Sequence, residues 1–387
     1  MTEGYCALAE LCATEITDGT HQTPVYSDKG YIFLSSKNVT SGVIDWENVK
    51  YIPEDLHNEL YARIKPQVDD ILLAKNGTTG IAALVDRDEV FDIYVSLALI
   101  RPDKNKILPQ YLLYAINSSK SQRFFNSNLK GIGVPNLHLT HIRETPIKIY
   151  PLSQQSKIVE KLRYIDNLLR KYTQKLSILD NLVKSRFIEM FGTYITDSSR
   201  HKKLKEVCNF IDYRGKTPEK SDSGIPLITA KNVRDNHFSV EPQEFIPIEN
   251  YEAVMTRGIP KVNDVLFTTE APLGNVCRIP GLYDKFCVGQ RIVTMQPHAD
   301  ILIPEYLERT LLSDDFQEKI WQQATGSTVK GIRSKRLIEL TIPVPPLDIQ
   351  KKYADFVALT DKSKLAVQQS IDTLQTLKDK LMQDYFG

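Results

Sequence analysis

The feature that most constrains this fold is an internal duplication that runs along almost the whole sequence. Phe191-Gly192 closes the first copy, and Phe386-Gly387 closes the second copy 195 residues later. Other landmarks return at shifts of 194 or 195 residues: Thr23-Pro24 as Thr217-Pro218, Gly30 as Gly224, Gly80 as Gly274, and Pro109 as Pro304. Because the repeat is far longer than the modules of solenoids and propellers, each copy is about the size of a domain. A chain built this way is expected to do one thing twice, through two sites, two partners or both.

The composition is that of a globular protein with room for two cores. The chain has 387 residues, of which 42% are hydrophobic and 25% charged. No apolar run reaches the roughly 18–20 residues of a membrane helix, and residues 1–5 lack the basic and apolar regions of a signal peptide. The five cysteines contain no C-x-x-C pair, which disfavours a disulfide scaffold or a zinc site. We therefore expect a cytoplasmic protein.

The distribution of charge is more informative than the net charge of +1. Residues 104–143 contain six Lys or Arg and no Asp or Glu, and residues 319–337 of the second copy are also free of acids. A single basic run is usually a solvated face. Matching runs at corresponding places in both copies favour contact with nucleic acid.

The fold class predicted for each copy is α+β. Short, turn-bounded apolar runs predict strands at residues 30–34, 70–74 and 93–100, and at 225–228, 265–267 and 291–295. A helix is predicted over residues 109–126 and again over 304–323, each with proline at its start. Each copy should therefore contain a curved, strand-rich domain, at residues 1–150 and 193–345.

A long helix should follow each domain, at residues 151–192 and 346–387. In the first helix, apolar residues step by four and three without Pro or Gly, which is the heptad pattern of a coiled coil. The heptad pattern of the second helix is weaker, because Lys364 occupies the position that corresponds to Leu169 in the first helix. Each helix could pack on its own domain, but two equal helices in one chain favour an antiparallel pair. The residues expected to form this pair and to dock partners are Ile158, Leu162, Ile165, Leu169, Leu176, Val357, Val367, Ile371 and Leu374.

Motifs of common catalytic chemistry are absent from the sequence. Residues 131–133 (Gly-Ile-Gly) lack the third glycine of a dinucleotide-binding loop. Pro102-Asp103 could open a nuclease motif, but no second acid follows before Glu144. The seven histidines form no metal-binding or triad pattern, so no catalytic residue and no metal ligand is predicted.

Residues suited to DNA contact occur instead at repeated loop positions. Side chains of Asn, Arg and Lys form hydrogen bonds with base edges and phosphates. Asn and Gly are also common in ordinary turns. The predicted DNA-binding residues are Thr20, His21, Lys37, Asn38, Lys75, Asn76, Thr78, Lys130 and Asn136 in the first copy, and Arg214, Lys216, Thr217, Lys231, Asn232, Lys330 and Arg333 in the second.

Three features together resemble the specificity subunits of type I restriction-modification systems. These are the Pro-Leu-x-x-Gln before each long helix, the Gly-Ser-Thr-Val-Lys-Gly-Ile of residues 326–332, and the Phe-Gly after each helix. The resemblance spans both copies. It implies two target recognition domains that each read one half of a split DNA sequence, and two helices that form an antiparallel spacer.

The resemblance also implies a division of labour. The helix pair would dock two modification subunits, and restriction subunits would join the full complex. Adenine-N6 methylation and ATP-dependent cleavage would belong to those partners, so S-adenosylmethionine, ATP and Mg²⁺ would be bound there, and this chain would be non-catalytic with no cofactor of its own. The loops differ between the copies, as where His21 corresponds to Gly215, so the DNA site should be asymmetric.

Three other interpretations stay open at this stage. The chain could be the specificity subunit of a related type II system. It could be an enzyme, a nuclease or methyltransferase, whose motif is not apparent. It could also be a coiled-coil scaffold that binds proteins and no DNA.

Overall fold

The computed structural model describes residues 4–129, 135–213, 218–234 and 237–387. Contacts divide the chain into two compact units, and the division falls within both long helices. The first unit comprises residues 1–173 and 369–387, and the second comprises residues 174–368.

The first copy is an α+β domain with a four-stranded, a three-stranded and a two-stranded sheet. Its strands are Gly4–Ala7, Thr17–Asp18, Tyr31–Leu34, Lys50–Ile52, Ile71–Ala74, Ala82–Leu84, Phe91–Ile93, Leu97–Ile100 and Pro146–Ile149. Its helices are Glu54–Arg63, Pro109–Ile116, Ser119–Ser127 and Leu139–Arg143, with short 3-10 turns at Leu8–Leu11 and Ser36–Asn38. An antiparallel four-stranded sheet has Leu97–Ile100 and Ile71–Ala74 at its centre, and a three-stranded sheet centres on Tyr31–Leu34.

The second copy repeats this topology and adds one antiparallel strand pair, Val233–Arg234 with His237–Phe238. Its strands are His201–Lys203, Cys208–Asp212, Ile225–Ile228, Val233–Arg234, His237–Phe238, Phe245–Ile246, Val265–Thr269, Leu273–Arg278, Cys287–Val288, Ile292–Pro297 and Thr341–Pro343. Its helices are Leu204–Val207, Tyr251–Val254, Pro304–Leu311, Asp314–Gln323 and Ser334–Leu337, with 3-10 turns at Ser198–Arg200 and Ile248–Asn250. Its four-stranded sheet places Ile292–Pro297 and Val265–Thr269 at the centre, as in the first copy. The predicted α+β class with two tandem strand-rich domains is confirmed.

Two predicted elements are each divided in the structure. Residues 93–100 form two strands in different sheets, Phe91–Ile93 and Leu97–Ile100, because a turn separates them. The predicted helix over 109–126 is two helices, since the hydroxyl of Ser118 caps a new helix by accepting from the amide of Ser121. Ser313 does the same in the second copy. Serine favours such caps because its side chain competes with the helical backbone for hydrogen bonds.

The long helices extend over Leu152–Thr196 and Leu347–Phe386. In the first unit Lys161 Nζ lies 3.3 Å from the Tyr385 hydroxyl and Asp166 Oδ1 lies 2.7 Å from Lys378 Nζ. Residue numbers therefore rise along one helix as they fall along the other, so the pairing is antiparallel.

The second unit contains the same antiparallel arrangement. Asp180 Oδ1 lies 2.5 Å from Lys364 Nζ, and the rings of Phe191 and Tyr353 lie 5.4 Å apart. The two predicted long helices pair, and they also pack on the domains. No helix in the described parts of the chain has an apolar stretch long enough to cross a membrane.

The residues predicted to form the helix pair occupy two environments. Ile158 and Leu162 lie in the core of the first domain, and Val357 lies in that of the second. Ile165 and Val367 are buried, whereas the remaining four are half-buried: Leu169, Leu176, Ile371 and Leu374. Burial is therefore greatest where the helices meet the domains.

Candidate nucleic-acid interface

Three of the predicted loops of the first copy meet at one corner of the four-stranded sheet. The Lys75 amide donates to the Ser96 carbonyl at 2.9 Å, and the Leu137 amide donates to the Lys75 carbonyl at 2.8 Å. The hydroxyl of Ser96 in turn accepts from the Ser36 amide at 3.0 Å. These bonds join the loops at 36–38, 75–80 and 135–137, which are distant in sequence.

A buried ion pair lies beneath this corner. Lys75 Nζ lies 3.0 Å from Asp18 Oδ2, and the two side chains are only 8% and 10% exposed. His21 lies on the same carboxylate, with its Nε2 3.3 Å from Asp18 Oδ1, while its side chain is 70% exposed. Thr20 is half-buried and forms a backbone bridge with Tyr94. The structure thus brings Thr20 and His21 to the corner, but it encloses the charge of Lys75.

Asn38 and its counterpart Asn232 are parts of the loop framework. Asn38 Oδ1 accepts from the Ser35 amide at 3.0 Å, and Asn232 Oδ1 accepts from the Thr229 amide at 2.9 Å. Their side-chain amides donate to carbonyls farther along each loop, and both residues are buried. The lysine that precedes each asparagine, Lys37 or Lys231, is exposed.

The corner of the first copy also carries two half-buried asparagines. Asn76 and Asn136 pair through an antiparallel backbone bridge. The Oδ1 atom of each is buried and has no hydrogen-bond partner among the described residues. Thr78, two residues from Asn76, is exposed. This corner therefore holds polar groups whose hydrogen-bonding capacity is unused.

The second copy forms the same corner through equivalent backbone bonds. The Thr269 amide donates to the Arg291 carbonyl at 2.8 Å, and the Ile332 amide donates to the Thr269 carbonyl at 2.9 Å. Glu270 bridges to Gly331, as Asn76 bridges to Asn136. The backbone is conserved between the copies, whereas the side chains at these positions differ.

A tight hairpin projects Lys330 from this second corner. Thr325 and Gly331 exchange two backbone hydrogen bonds of 2.9 and 3.0 Å, which close the loop. Gly326 has φ +112°, and a Cβ there would lie 2.0 Å from the Val329 carbonyl oxygen, so the turn requires glycine. Lys330 and Arg333 are exposed and form no ion pair with the residues described.

Lys231 is partly neutralised by an acid that the sequence pattern did not reveal. Its Nζ lies 3.2 Å from Glu244 Oε1, and Lys220 lies 2.7 Å from Oε2 of the same residue. Burial opposes ionisation of Glu244, but hydrogen bonds from the two lysines prevail and lower its pKa below the usual value. Lys231 therefore offers less free positive charge than its exposure suggests.

The acid-free run at residues 104–143 is also less basic in the fold than in the sequence. Acids from other segments or from its edge lie close to three of its cations: Asp69 lies 2.6 Å from Lys104, Asp103 lies 3.5 Å from Lys106, and Glu15 lies 2.7 Å from Arg143. In the second run Lys319 pairs with Asp315 at 2.6 Å. Asp69 and Glu15 are distant in sequence from Lys104 and Arg143, whereas Asp103 and Asp315 lie just before each run, so a count within the runs misses all four acids.

Four predicted DNA-binding residues lie outside the described residues: Lys130, Arg214, Lys216 and Thr217. Sequence reasoning missed two groups that lie at the corners, Asp18 in the first copy and the Arg291–Glu270 pair in the second. The duplication offered a signal for Asp18, because Asp212 occupies the corresponding position.

The fold defines a protein with two homologous strand-rich domains, each followed by a long helix. A family model described as the type I restriction modification DNA specificity domain matches twice, at residues 24–179 and 197–376. The chain belongs to this family, and it is a type I restriction-modification specificity subunit. The predicted resemblance is confirmed.

Curated relatives are similar along most of the chain, and solved structures share the fold. The chain is 24% identical over 380 residues to the putative type I restriction enzyme MjaX specificity subunit of Methanocaldococcus jannaschii, covering 91% of this chain and 85% of that protein. It is 23% identical to the MjaVIII specificity subunit of the same organism, covering 81% and 77%. The fold matches the crystal structure of a type I S subunit from M. genitalium with a TM-score of 0.60 at 16% identity, covering 100% and 96%. A chain from a type I R-M system assembly matches with a TM-score of 0.57 at 19% identity, covering 99% and 97%.

Proposed function

We propose that this chain reads a bipartite, asymmetric DNA site, with each domain contacting one half. The observation that carries the proposal is that equivalent backbone bonds form both corners, whereas the side chains on them differ. Asn76 and Asn136 stand in the first corner where Glu270 and Gly331 stand in the second. Domains with one backbone frame and different polar side chains are suited to two different base sequences.

The helix pair sets the distance between the two half-sites and docks two modification subunits in this proposal. Within each unit an ion pair joins the two antiparallel helices, which supports a fixed register between them. Large apolar side chains on these helices remain exposed, among them Tyr164 at 66%, Ile178 at 64% and Leu359 at 68%. We assign these residues to the surface that docks the modification subunits.

The chain itself is proposed to be non-catalytic. Methyl transfer and ATP-dependent cleavage would reside in the modification and restriction subunits, which would bind S-adenosylmethionine, ATP and Mg²⁺. The complex would act in the cytoplasm of its bacterial or archaeal host, where the chromosome lies. A purified chain that alone methylates or cuts DNA would contradict this division.

Mapping methylated adenines in the host genome tests the proposal. Deletion of the gene for this chain should abolish methylation at one two-part, non-palindromic motif and leave other motifs methylated. Binding of the purified complex to a duplex with that motif should weaken steeply with salt, because phosphate contacts release counterions. If every motif stays methylated after the deletion, or if the affinity does not change with salt, the proposal that this chain reads DNA is rejected.

A further inference from the structure

We propose that Arg291, oriented by Glu270, reads a guanine in the half-site of the second domain. This inference rests on the proposed DNA-reading function and assigns it a specificity-determining residue. Arg291 Nε lies 3.1 Å from Glu270 Oε1, and the two side chains are 56% and 45% exposed. The pair is therefore accessible to a partner.

The position of this pair links it to the corner rather than to a remote surface. The carbonyl of Arg291 accepts from the Thr269 amide, and Glu270 follows directly in the chain. On its other side Glu270 bridges to Gly331, where the hairpin that carries Lys330 closes. Arg291 and the exposed Lys330 therefore belong to segments that flank the same residue. The same corner thus carries a cation suited to phosphate and a cation suited to a base edge.

The backbone at Arg291 has an unusual conformation for an arginine. Its φ is +67°, in the left-handed region that favours glycine and asparagine. Residues held there by the surrounding structure cluster at functional sites. The backbone conformation sets where the side chain leaves the corner, and the Glu270 carboxylate lies against Nε of its guanidinium.

The geometry of the guanidinium suits guanine. Glu270 engages Nε, while the terminal nitrogens of Arg291 make no hydrogen bond to a described residue. A planar fork of this kind donates two parallel hydrogen bonds to guanine O6 and N7, the commonest specific contact in the major groove. Lysine cannot reproduce that fork, because its ammonium is a single point charge.

The first copy has no equivalent of this arginine. Ser96 occupies the matching backbone position, where its carbonyl accepts from the Lys75 amide and its hydroxyl accepts from the Ser36 amide. Guanine reading by an arginine at this place is therefore confined to the second domain. An Arg291 variant should change one half-site and leave the other intact.

The test uses the full complex purified from its host, with a library of randomised duplexes and S-adenosylmethionine as the probe. Methylated molecules are sequenced to give the motif for the wild type and for Arg291→Ala, Arg291→Lys and Lys285→Ala. Lys285 is a matched control, because it is 50% exposed, ion-paired and located in the loop between the strands Leu273–Arg278 and Cys287–Val288, away from the residues of the corner.

Both Arg291 variants are expected to relax one G·C position in one half of the motif, with discrimination there falling about 5- to 150-fold. Lys285→Ala should leave the motif unchanged. Arg291→Lys keeps the charge, so full retention of the motif in this variant would show a phosphate contact and overturn base reading. A wild-type complex that gives no motif would instead reject the proposed function itself.

If Arg291→Ala does not fold, Glu270→Gln provides a second variant. It keeps Arg291 and removes only the carboxylate that orients the guanidinium. Partial relaxation at the same G·C position is expected, and an unchanged motif would overturn the role assigned to Glu270.

Discussion

The ring of Phe191 packs against the ring of Tyr306 with centroids 4.6 Å apart, so the residue that closes the first copy is buried in the domain of the second. The converse holds in the other unit, where the Phe386 ring lies 5.1 Å from Tyr111 in the first domain. Each long helix therefore ends in the core of the domain that belongs to the other copy. This exchange explains why the Phe-Gly ending is repeated.

Phe386→Ala is predicted to destabilise the first unit selectively, and Phe191→Ala the second. Removal of a buried phenylalanine costs about 3–5 kcal/mol, through lost burial and the cavity left behind. Hydrogen exchange resolved by segment measures the effect, since a chain of two units need not unfold in one step. Leu365→Ala, at a position 60% exposed, serves as the control and should change little. The same loss of protection in both units for either variant would contradict the exchange.

Lys75→Ala is predicted to destabilise the first domain by about 3 kcal/mol, because it leaves Asp18 buried without its ammonium partner. The value lies at the lower end for broken buried pairs, since His21 stays near the carboxylate. Urea denaturation followed by a probe in the first domain measures it. Lys37→Ala, at an exposed position, is the control. Equal stability of the two variants would show that the ion pair contributes nothing.

Lys330→Ala is predicted to weaken DNA binding for all sequences and to reduce the slope of log affinity against log salt by about one. The reason is that Lys330 projects from a rigid hairpin and has no ion pair among the described residues. Salt-titrated binding of the full complex to its methylation motif provides the measurement. Lys285→Ala should preserve the slope, and a preserved slope for Lys330→Ala would remove that lysine from the interface.

Glu244→Gln is predicted to change the pH dependence of stability. The folded pKa of Glu244 lies below its usual value of 4.5, because hydrogen bonds from Lys220 and Lys231 outweigh its burial. Its stabilising contribution is therefore fully present above about pH 4.5 and is lost as the pH falls through the folded pKa. Denaturation midpoints of wild type and variant should differ at pH 7 and converge towards pH 3. A difference that grows on acidification would contradict this sign.

The sequence alone was sufficient for the duplication, the α+β class, the two long helices and the family. These features depend on local periodicity and on motifs that neighbouring residues carry. Prediction failed where a local signal was ambiguous, as at Ser118 and Ser313. There, apolar periodicity continues while a capping hydroxyl starts a new helix.

Tertiary structure decided which polar residues are available to a partner. Lys75 and Lys37 are both loop lysines in the sequence, yet Asp18 encloses one while the other is exposed. The pairing of Arg291 with Glu270 and the packing of Phe386 on Tyr111 likewise join segments that are far apart along the chain. Charge neutralisation and burial depend on distance in space. The sequence therefore determined the secondary structure and the duplication, and only the tertiary structure decided which polar side chains remain exposed and unpaired.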